Sequence, residues 1–382
     1  MNTLKFGNGE WYGKEGTILA YNDENNNYKP LPFTFERDSV ATRVNKQGLI
    51  ETVGADQPRI DYLNDSNGAL LLEPQSTNNI LYSNDISQSF NAQDITETQN
   101  YGIAPNGNNE STRVQITLST SHYWKNYSLN SGVKYTASFY YKGIEGETTY
   151  LRAITVGGGS GNIKLITFNG DWQREELTFT AGSTVNYIYV TDNRAGVDNT
   201  ATDFEVWGGQ LEQGYPTSYI PTQGSAVTRL ADVCNNGGNE QVINSTEGVL
   251  YAEISALDSS NIFDFGLYGN TSTNQCRIGF FNDDVYASLY NGSFQTQMSA
   301  PSNLSDFTKI AFKFSENDFA LWIDGNEVAT DTSGTTFNSG DLVKLNLSAQ
   351  NGTSSLVTGN VKDVRVYDTA LTDQELAALT QV

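Results

Sequence analysis

Along most of this chain apolar and polar residues alternate with a period of two. That spacing puts one face of an extended segment in a core and the other in water. Between residues 77 and 222 the pattern predicts strands at Thr112–Thr117, Tyr135–Tyr141, Tyr150–Thr155, Ile163–Phe168, Glu176–Thr180, Tyr187–Val190 and Phe204–Trp207. Turn-forming runs such as Gly157–Gly161 and Asn169–Asp171 separate them. A series of short strands without a helical stretch predicts a β-sandwich of jelly-roll type.

From residue 223 to 382 the alternation predicts strands at Val249–Ile254, Ile262–Leu267, Arg277–Phe281, Val285–Tyr290, Lys309–Phe314, Phe319–Ile323 and Val361–Tyr367. Ser315–Asp318 reads as a turn, and Asp324-Gly325 makes a second tight turn into Glu327–Ala329. One segment changes period. Thr372-Asp-Gln-Glu375 is a capping box ahead of Leu376, Ala377, Ala378 and Leu379, which predicts a helix of about two turns closing an edge or the bottom of the sandwich.

Residues 1 to 76 read differently. Leu31–Phe35, Gly48–Val53 and Ala69–Glu73 are short apolar pieces between the turn-rich runs Asp23–Asn27 and Asn64–Gly68. Pro30, Pro32, Pro58 and Pro74 are half of the chain's 8 prolines. Such a segment is expected to hold an extended shape by docking on a neighbouring subunit or another protein. The expected architecture is all-β: an extended N-terminal attachment and oligomerisation segment over 1–76, a jelly roll over 77–222, and a second sandwich over 223–382 ending in a short helix.

Composition sharpens this picture. Only 17% of residues are charged, against roughly a quarter in an ordinary soluble chain, so the polar surface comes from Asn, Ser, Thr and Gly. The 21 Tyr and 18 Phe suit pleated, half-buried surfaces. Lys and Arg number 22 against 44 Asp and Glu, a formal charge of −22. So acidic a surface repels phosphate backbones and anionic lipid, so neither nucleic acid nor membrane insertion is expected. Cys234 and Cys276 are too few for a disulfide framework and read as buried free thiols. The N-terminus lacks the apolar stretch of a signal peptide, and Met1 is retained. Folding in a cytoplasm, with release as part of a particle, is the matching expectation.

Several stretches resemble known sequences. Pro30-Leu-Pro-Phe-Thr-Phe-Glu-Arg-Asp-Ser-Val-Ala-Thr-Arg-Val-Asn45, Gly48-Leu-Ile-Glu51, Pro58-Arg-Ile-Asp-Tyr62 and Leu71-Leu-Glu-Pro-Gln75 together resemble a segment of bacteriophage structural proteins. In that family the segment precedes a jelly roll similar to carbohydrate-binding modules. Val206-Trp-Gly-Gly-Gln-Leu-Glu212 followed by Thr217-Ser-Tyr-Ile-Pro221 resembles the jelly roll's closing signature, and Trp172 stands where such modules carry a core tryptophan. Trp322-Ile-Asp-Gly325 and Val364-Arg-Val-Tyr-Asp-Thr-Ala-Leu-Thr-Asp-Gln-Glu-Leu376 resemble a concanavalin A-like or laminin-G-like sandwich.

Catalytic patterns are missing from the sequence. His122 is the single histidine, no Gly-x-Ser-x-Gly elbow occurs, and no Glu-x-Asp-x-x-Glu run places three acids on one strand face. No EF-hand, P-loop or Cys/His zinc spacing appears either. No enzyme activity and no cofactor are therefore expected. A structural calcium ion is allowed through Asp203, Asp85 or Asp264. Sugar recognition uses exposed aromatic faces with polar neighbours. The candidate platform is Tyr123, Trp124 and Tyr127 in the jelly roll with Tyr286 and Tyr290 in the second sandwich; Tyr268 and Phe294 are further candidates. Trp172, Trp207 and Trp322 are expected in cores, and His122 on a surface or loop.

The resemblance implies a virion surface protein (spike, tail fibre or decoration protein). Its N-terminal segment would hold other virion proteins, its sandwiches would meet host cell-surface glycans, and the assembly would be a homotrimer. A bacterial glycan-binding protein or adhesin is the alternative, with a glycan hydrolase or lyase behind it.

Overall fold

The computed structural model describes residues 3–7, 11–22, 27–155, 158–182, 185–196, 198–258 and 262–382. Positions 23–26 of the turn run Asp23–Asn27, and Gly157 of the glycine run, lie outside the described residues. The chain divides into two compact units. Met1–Lys46, Val53–Pro74 and Leu230–Val382 form the first; Gln47–Thr52 and Gln75–Arg229 form the second.

The first unit is a sandwich of two antiparallel sheets. The larger runs in the order Val233–Asn235, Asn27–Glu36, Thr17–Asn22, Thr3–Gly7, Gly359–Tyr367, Gly248–Ala256, Thr308–Ser315, Asp318–Ile323, Asn326–Asp331. The smaller runs Phe294–Pro301, Asp284–Asn291, Asn274–Phe281, Phe263–Tyr268, Lys344–Asn346. Leu250, Phe312 and Val364 of the first sheet join Phe265, Ile278 and Leu289 of the second in one core. The capping-box helix forms at Asp373–Thr380, with the Thr372 N–H donating to Glu375 Oε2 at 2.9 Å. It covers Val249, Tyr251, Ala311, Ala320 and Trp322 on the other face of the larger sheet. Asp324 and Gly325 both take positive φ, 47° and 81°, as the hairpin turn requires. Cys234 and Cys276 are free and buried.

The N-terminal residues do not stand apart as an extended segment. Thr3–Gly7 pairs along its length with Gly359–Tyr367, Leu4 opposite Val366 and Phe6 opposite Val364, and Ala69–Leu72 pairs with the start of that same strand. Leu4, Phe6, Ile18, Phe33, Phe35, Leu70 and Leu72 all enter the core. The prolines obscured this. Pro58 precedes the strand Arg59–Asp61 and Pro74 follows Ala69–Leu72, where a missing N–H costs the ladder nothing.

The Pro30–Gln75 stretch has a structural role here. Its Arg37, Arg59 and Glu73 converge on Asp232, all four buried. Arg37 Nη1 donates to Asp232 Oδ1 at 3.0 Å, Arg59 Nη2 to Asp232 Oδ2, and Arg59 Nη1 to Glu73 Oε2 at 2.6 Å. Two guanidinium groups meet two carboxylates, so the cluster is neutral as well as dry, the condition under which buried charge is tolerated.

The second unit packs two five-stranded antiparallel sheets. One is ordered Asn91–Gln93, His122–Ser128, Val185–Asp192, Thr148–Thr155, Gly158–Thr167; the other Ile95–Thr98, Thr112–Ile116, Asp203–Gln213, Lys134–Gly143, Gln173–Thr180. Val114, Phe139, Tyr141, Leu151, Ile188 and Phe204 form its core. The unit closes where Val227–Arg229 pairs with Ser76–Asn78, which is why it runs to 229 rather than 222.

Its closing signature is a polar clasp. Gln210 Nε2 donates to Glu212 Oε2 at 2.5 Å, Glu212 accepts the Ser76 hydroxyl at 2.6 Å and the Thr217 N–H at 3.0 Å, and the Ile220 N–H donates to Gln210 Oε1 at 2.6 Å. Gly208 lies at φ +65°, and a Cβ on Gly209 would press on the Phe139 ring. The Gln210 and Glu212 side chains are thereby engaged in holding the fold.

Candidate functional site

The site builds on a strand that the hydrophobic pattern missed. His122–Ser128 carries aromatics on both faces, which hides its alternation. Period two sends Tyr123 and Tyr127 inward and Trp124 outward. Tyr123 is fully buried in the core, and Tyr127 packs against the same core with its hydroxyl enclosed. Burial pushes both phenols up, Tyr123 also through the neighbouring Glu97 carboxylate. The Tyr123 ring is closed to a ligand, and the Tyr127 ring is committed in part to the core. Trp124 is half-exposed on the outer face, and Tyr127, also partly exposed, is turned to the core side.

Strand register collects its neighbours. Asn91 lies opposite Trp124, Trp124 opposite Tyr189, Tyr189 opposite Arg152, and Arg152 opposite Ile163. Residues paired in this way share a face, so one row crosses all five strands. Trp124 and Tyr187 rings stand 5.5 Å apart, Tyr187 and Tyr189 6.4 Å, and His122 and Tyr189 6.1 Å. Ile163 and Leu165, 44% and 43% exposed, extend the apolar surface on the edge strand.

Beside the rings is a charged group of three. Asp192, with no exposed side-chain surface, accepts from Arg152 Nη1 at 2.9 Å and from Arg194 Nε at 2.8 Å. Arg194 also lies over the Tyr189 ring, 5.5 Å from its centroid, and the Asp192 bond raises its pKa. The guanidinium groups keep 24% and 41% of their side-chain surface exposed. The half-exposed Trp124 indole and Tyr187 phenol beside partly exposed arginine side chains can stack on the C–H face of a sugar and donate paired hydrogen bonds to its oxygens.

The first unit carries a second patch. Tyr286 lies across Gly279, whose missing Cβ leaves the space its ring fills, and its hydroxyl donates to Asp264. Arg277 stands over the Tyr286 ring at 5.8 Å and donates from Nε to Ser288 Oγ at 3.0 Å. Ile262, Phe281, Asp284, Tyr286 and Ser299 line a shallow groove there. Tyr290 meets Phe294 edge-on at 5.0 Å, at the far end of the same strand from that groove. Tyr286 and Tyr290 are thus half-buried and already engaged, and Tyr268 is fully buried.

Other expected positions also resolve. Trp207 and Trp322 are buried, whereas Trp172 is half-exposed, its indole N–H donating to the Ile103 carbonyl at 2.9 Å. Asp203 is held by Arg113, Asp264 by Tyr286, and Asp85 accepts from Ser87 and Gln88. Among the described residues no three His, Cys, Asp or Glu side chains gather as a metal site. No helix among them is long and apolar enough to cross a membrane.

Residues 245–377 match the sequence profile of the concanavalin A-like lectin/glucanases superfamily. The C-terminal sandwich is therefore concanavalin A-like, and the strands Thr3–Gly7, Thr17–Asn22 and Asn27–Glu36 lie outside the matched stretch. No curated protein matches the sequence significantly. Among solved structures, CBM40 of the Ruminococcus gnavus IT-sialidase, bound to α2,3-sialyllactose, is similar at 19% identity and a TM-score of 0.32, over 36% of this chain and 84% of that one. Mouse laminin α1 domains LG4-5 are similar at 10% identity and a TM-score of 0.26, over 66% of this chain and 89% of that one.

Proposed function

We propose that this protein is a non-enzymatic glycan-binding component of a virion surface. The observation that carries the binding reading is the pair of partly exposed rings Trp124 and Tyr187, 5.5 Å apart, on the same sheet face as Arg152 and its hydrogen-bonding groups. The lectin/glucanase match of residues 245–377 supports it for the other sandwich. Asp192 is engaged by two arginines and Asp264 by Tyr286, which favours binding without turnover at those two acids. The virion assignment rests on the resemblance of the Pro30–Gln75 stretch to phage structural proteins. Other virion proteins are the proposed structural partners, and a homotrimer, gaining avidity from repeated weak contacts, is the proposed assembly.

A glycan array probed with the full chain tests the binding reading: retention of defined glycans is expected, and loss of that retention in Trp124→Ala. No retention of any glycan by a folded sample refutes it. Release of reducing ends from bound polysaccharide would make the protein an enzyme instead. Capsid and packaging genes beside its gene are expected, whereas polysaccharide-utilisation genes would replace the virion by a bacterial adhesin. Light scattering at micromolar concentration should give three times the chain mass.

A further inference from the structure

The two sheets of the second unit differ sharply in charge. The sheet bearing Trp124 contains one acid in its five strands, Asp192, although the chain holds 44. Its partner sheet contains six: Glu97, Glu175, Glu176, Asp203, Glu205 and Glu212. The lone acid is itself covered by two guanidinium groups. Asp94, just beyond the edge strand, turns to Thr120 Oγ1 at 3.4 Å instead. In a chain of charge −22 the strands of this sheet are poor in acids, with Glu147 and Asp198 flanking them at Thr148.

We infer that this face selects anionic glycans, a carboxylate or sulfate group being received by Arg152 and Arg194 while the sugar ring lies on Trp124 and Tyr187. Asp192 can neutralise one guanidinium group, so one positive charge is left over at the surface. Asp192 and the Tyr189 ring fix Arg194 in place, which leaves little side-chain freedom to lose when an anion arrives. Guanidinium pairs with a carboxylate or sulfate through charge-assisted hydrogen bonds, stronger than those to a neutral hydroxyl. The apolar Ile163 and Leu165 exclude a purely electrostatic surface and suit a ligand with both an anionic group and a C–H face.

This rests on the glycan-binding reading, and the test separates the two. The full chain is titrated calorimetrically with matched pairs: uronate oligosaccharides and their methyl esters, sialylated and asialo glycans, sulfated and desulfated oligosaccharides. At least one acidic member should bind about tenfold or more tightly than its neutral counterpart, the gain expected of a charged hydrogen bond. Preference for the carboxylated or the sulfated members identifies the anion, and either result supports the inference. Arg194→Gln, at an exposed position, should keep the melting temperature and abolish the acid preference; Trp124→Ala should weaken both members of the pair. Equal binding of acid and neutral members overturns the charge selection and leaves the glycan reading standing. An acid preference unchanged in Arg194→Gln moves the anion site elsewhere and also overturns the inference. Binding of no member of any pair ends both.

Discussion

Two arginine–aspartate clusters in this molecule use nearly the same parts to opposite ends. In the first unit Arg37 and Arg59 clamp Asp232, and Glu73 adds a second carboxylate; none of the four side chains is more than marginally exposed. In the second unit Arg152 and Arg194 clamp Asp192, with no second acid, and both arginines reach solvent. The missing carboxylate is the difference. A balanced set can be sealed, because each charge has its partner and each lone pair its donor. An unbalanced set stays at the surface, since burying an uncompensated charge costs several kcal/mol. Charge balance thus separates a group that holds the fold from one that can meet a ligand.

Breaking the sealed cluster should have the largest effect. Asp232→Asn leaves two buried guanidinium groups sharing Glu73, and roughly 3–5 kcal/mol of stability should be lost in urea unfolding. An intermediate case is Asp363, bonded to Arg365 Nη2 at 2.6 Å but with Oδ1 unpartnered. Burial outweighs Arg365 and pushes its pKa up from 3.8 to about 6. The folded state then binds a proton more tightly than the unfolded chain, so stability falls as pH rises from about 4 to 6, by at most about 3 kcal/mol at 1.36 kcal/mol per unit. Thermal melts across that window should show the loss in the wild type and not in Asp363→Asn. Smaller again, Asp192→Asn should cost about 1–3 kcal/mol, because its arginines can turn to water. Smallest is Arg194→Gln, under about 1 kcal/mol at an exposed position. A cost for Arg194→Gln equal to that of Asp232→Asn in urea would erase the contrast.

The alternation along 112–213 and 249–367 made most strands legible, and Thr372–Glu375 marked the helix to the residue. Three things were hidden for physical reasons. Phe33-Thr34-Phe35 carried a core signal, but Cys234, the cross-strand partner of Phe35, lies far along the chain, and nearby prolines suggested exposure. Tyr123 and Tyr127 looked like companions of Trp124, whereas period two separates them by face. Arg37 and Asp232 are 195 residues apart, so only the fold reveals their pairing. The acid-poor sheet was written in the strands all along. Recognising it required knowing that 91–93, 122–128, 148–155, 158–167 and 185–192 lie side by side.

The pairing of Thr3–Gly7 with Gly359–Tyr367 has a consequence for how the protein is made. On the ribosome, residues 75–229 emerge as an unbroken run whose ends, Ser76–Asn78 and Val227–Arg229, are already zipped together, so that sandwich can mature early. The strands synthesised first can pair with one another, but Thr3–Gly7 and Ala69–Leu72 lack their shared neighbour Gly359–Tyr367 until that late strand leaves the exit tunnel. For most of translation Phe6, Phe33 and Leu70 wait with greasy edges uncovered, and that interval is when a nascent chain most needs a chaperone.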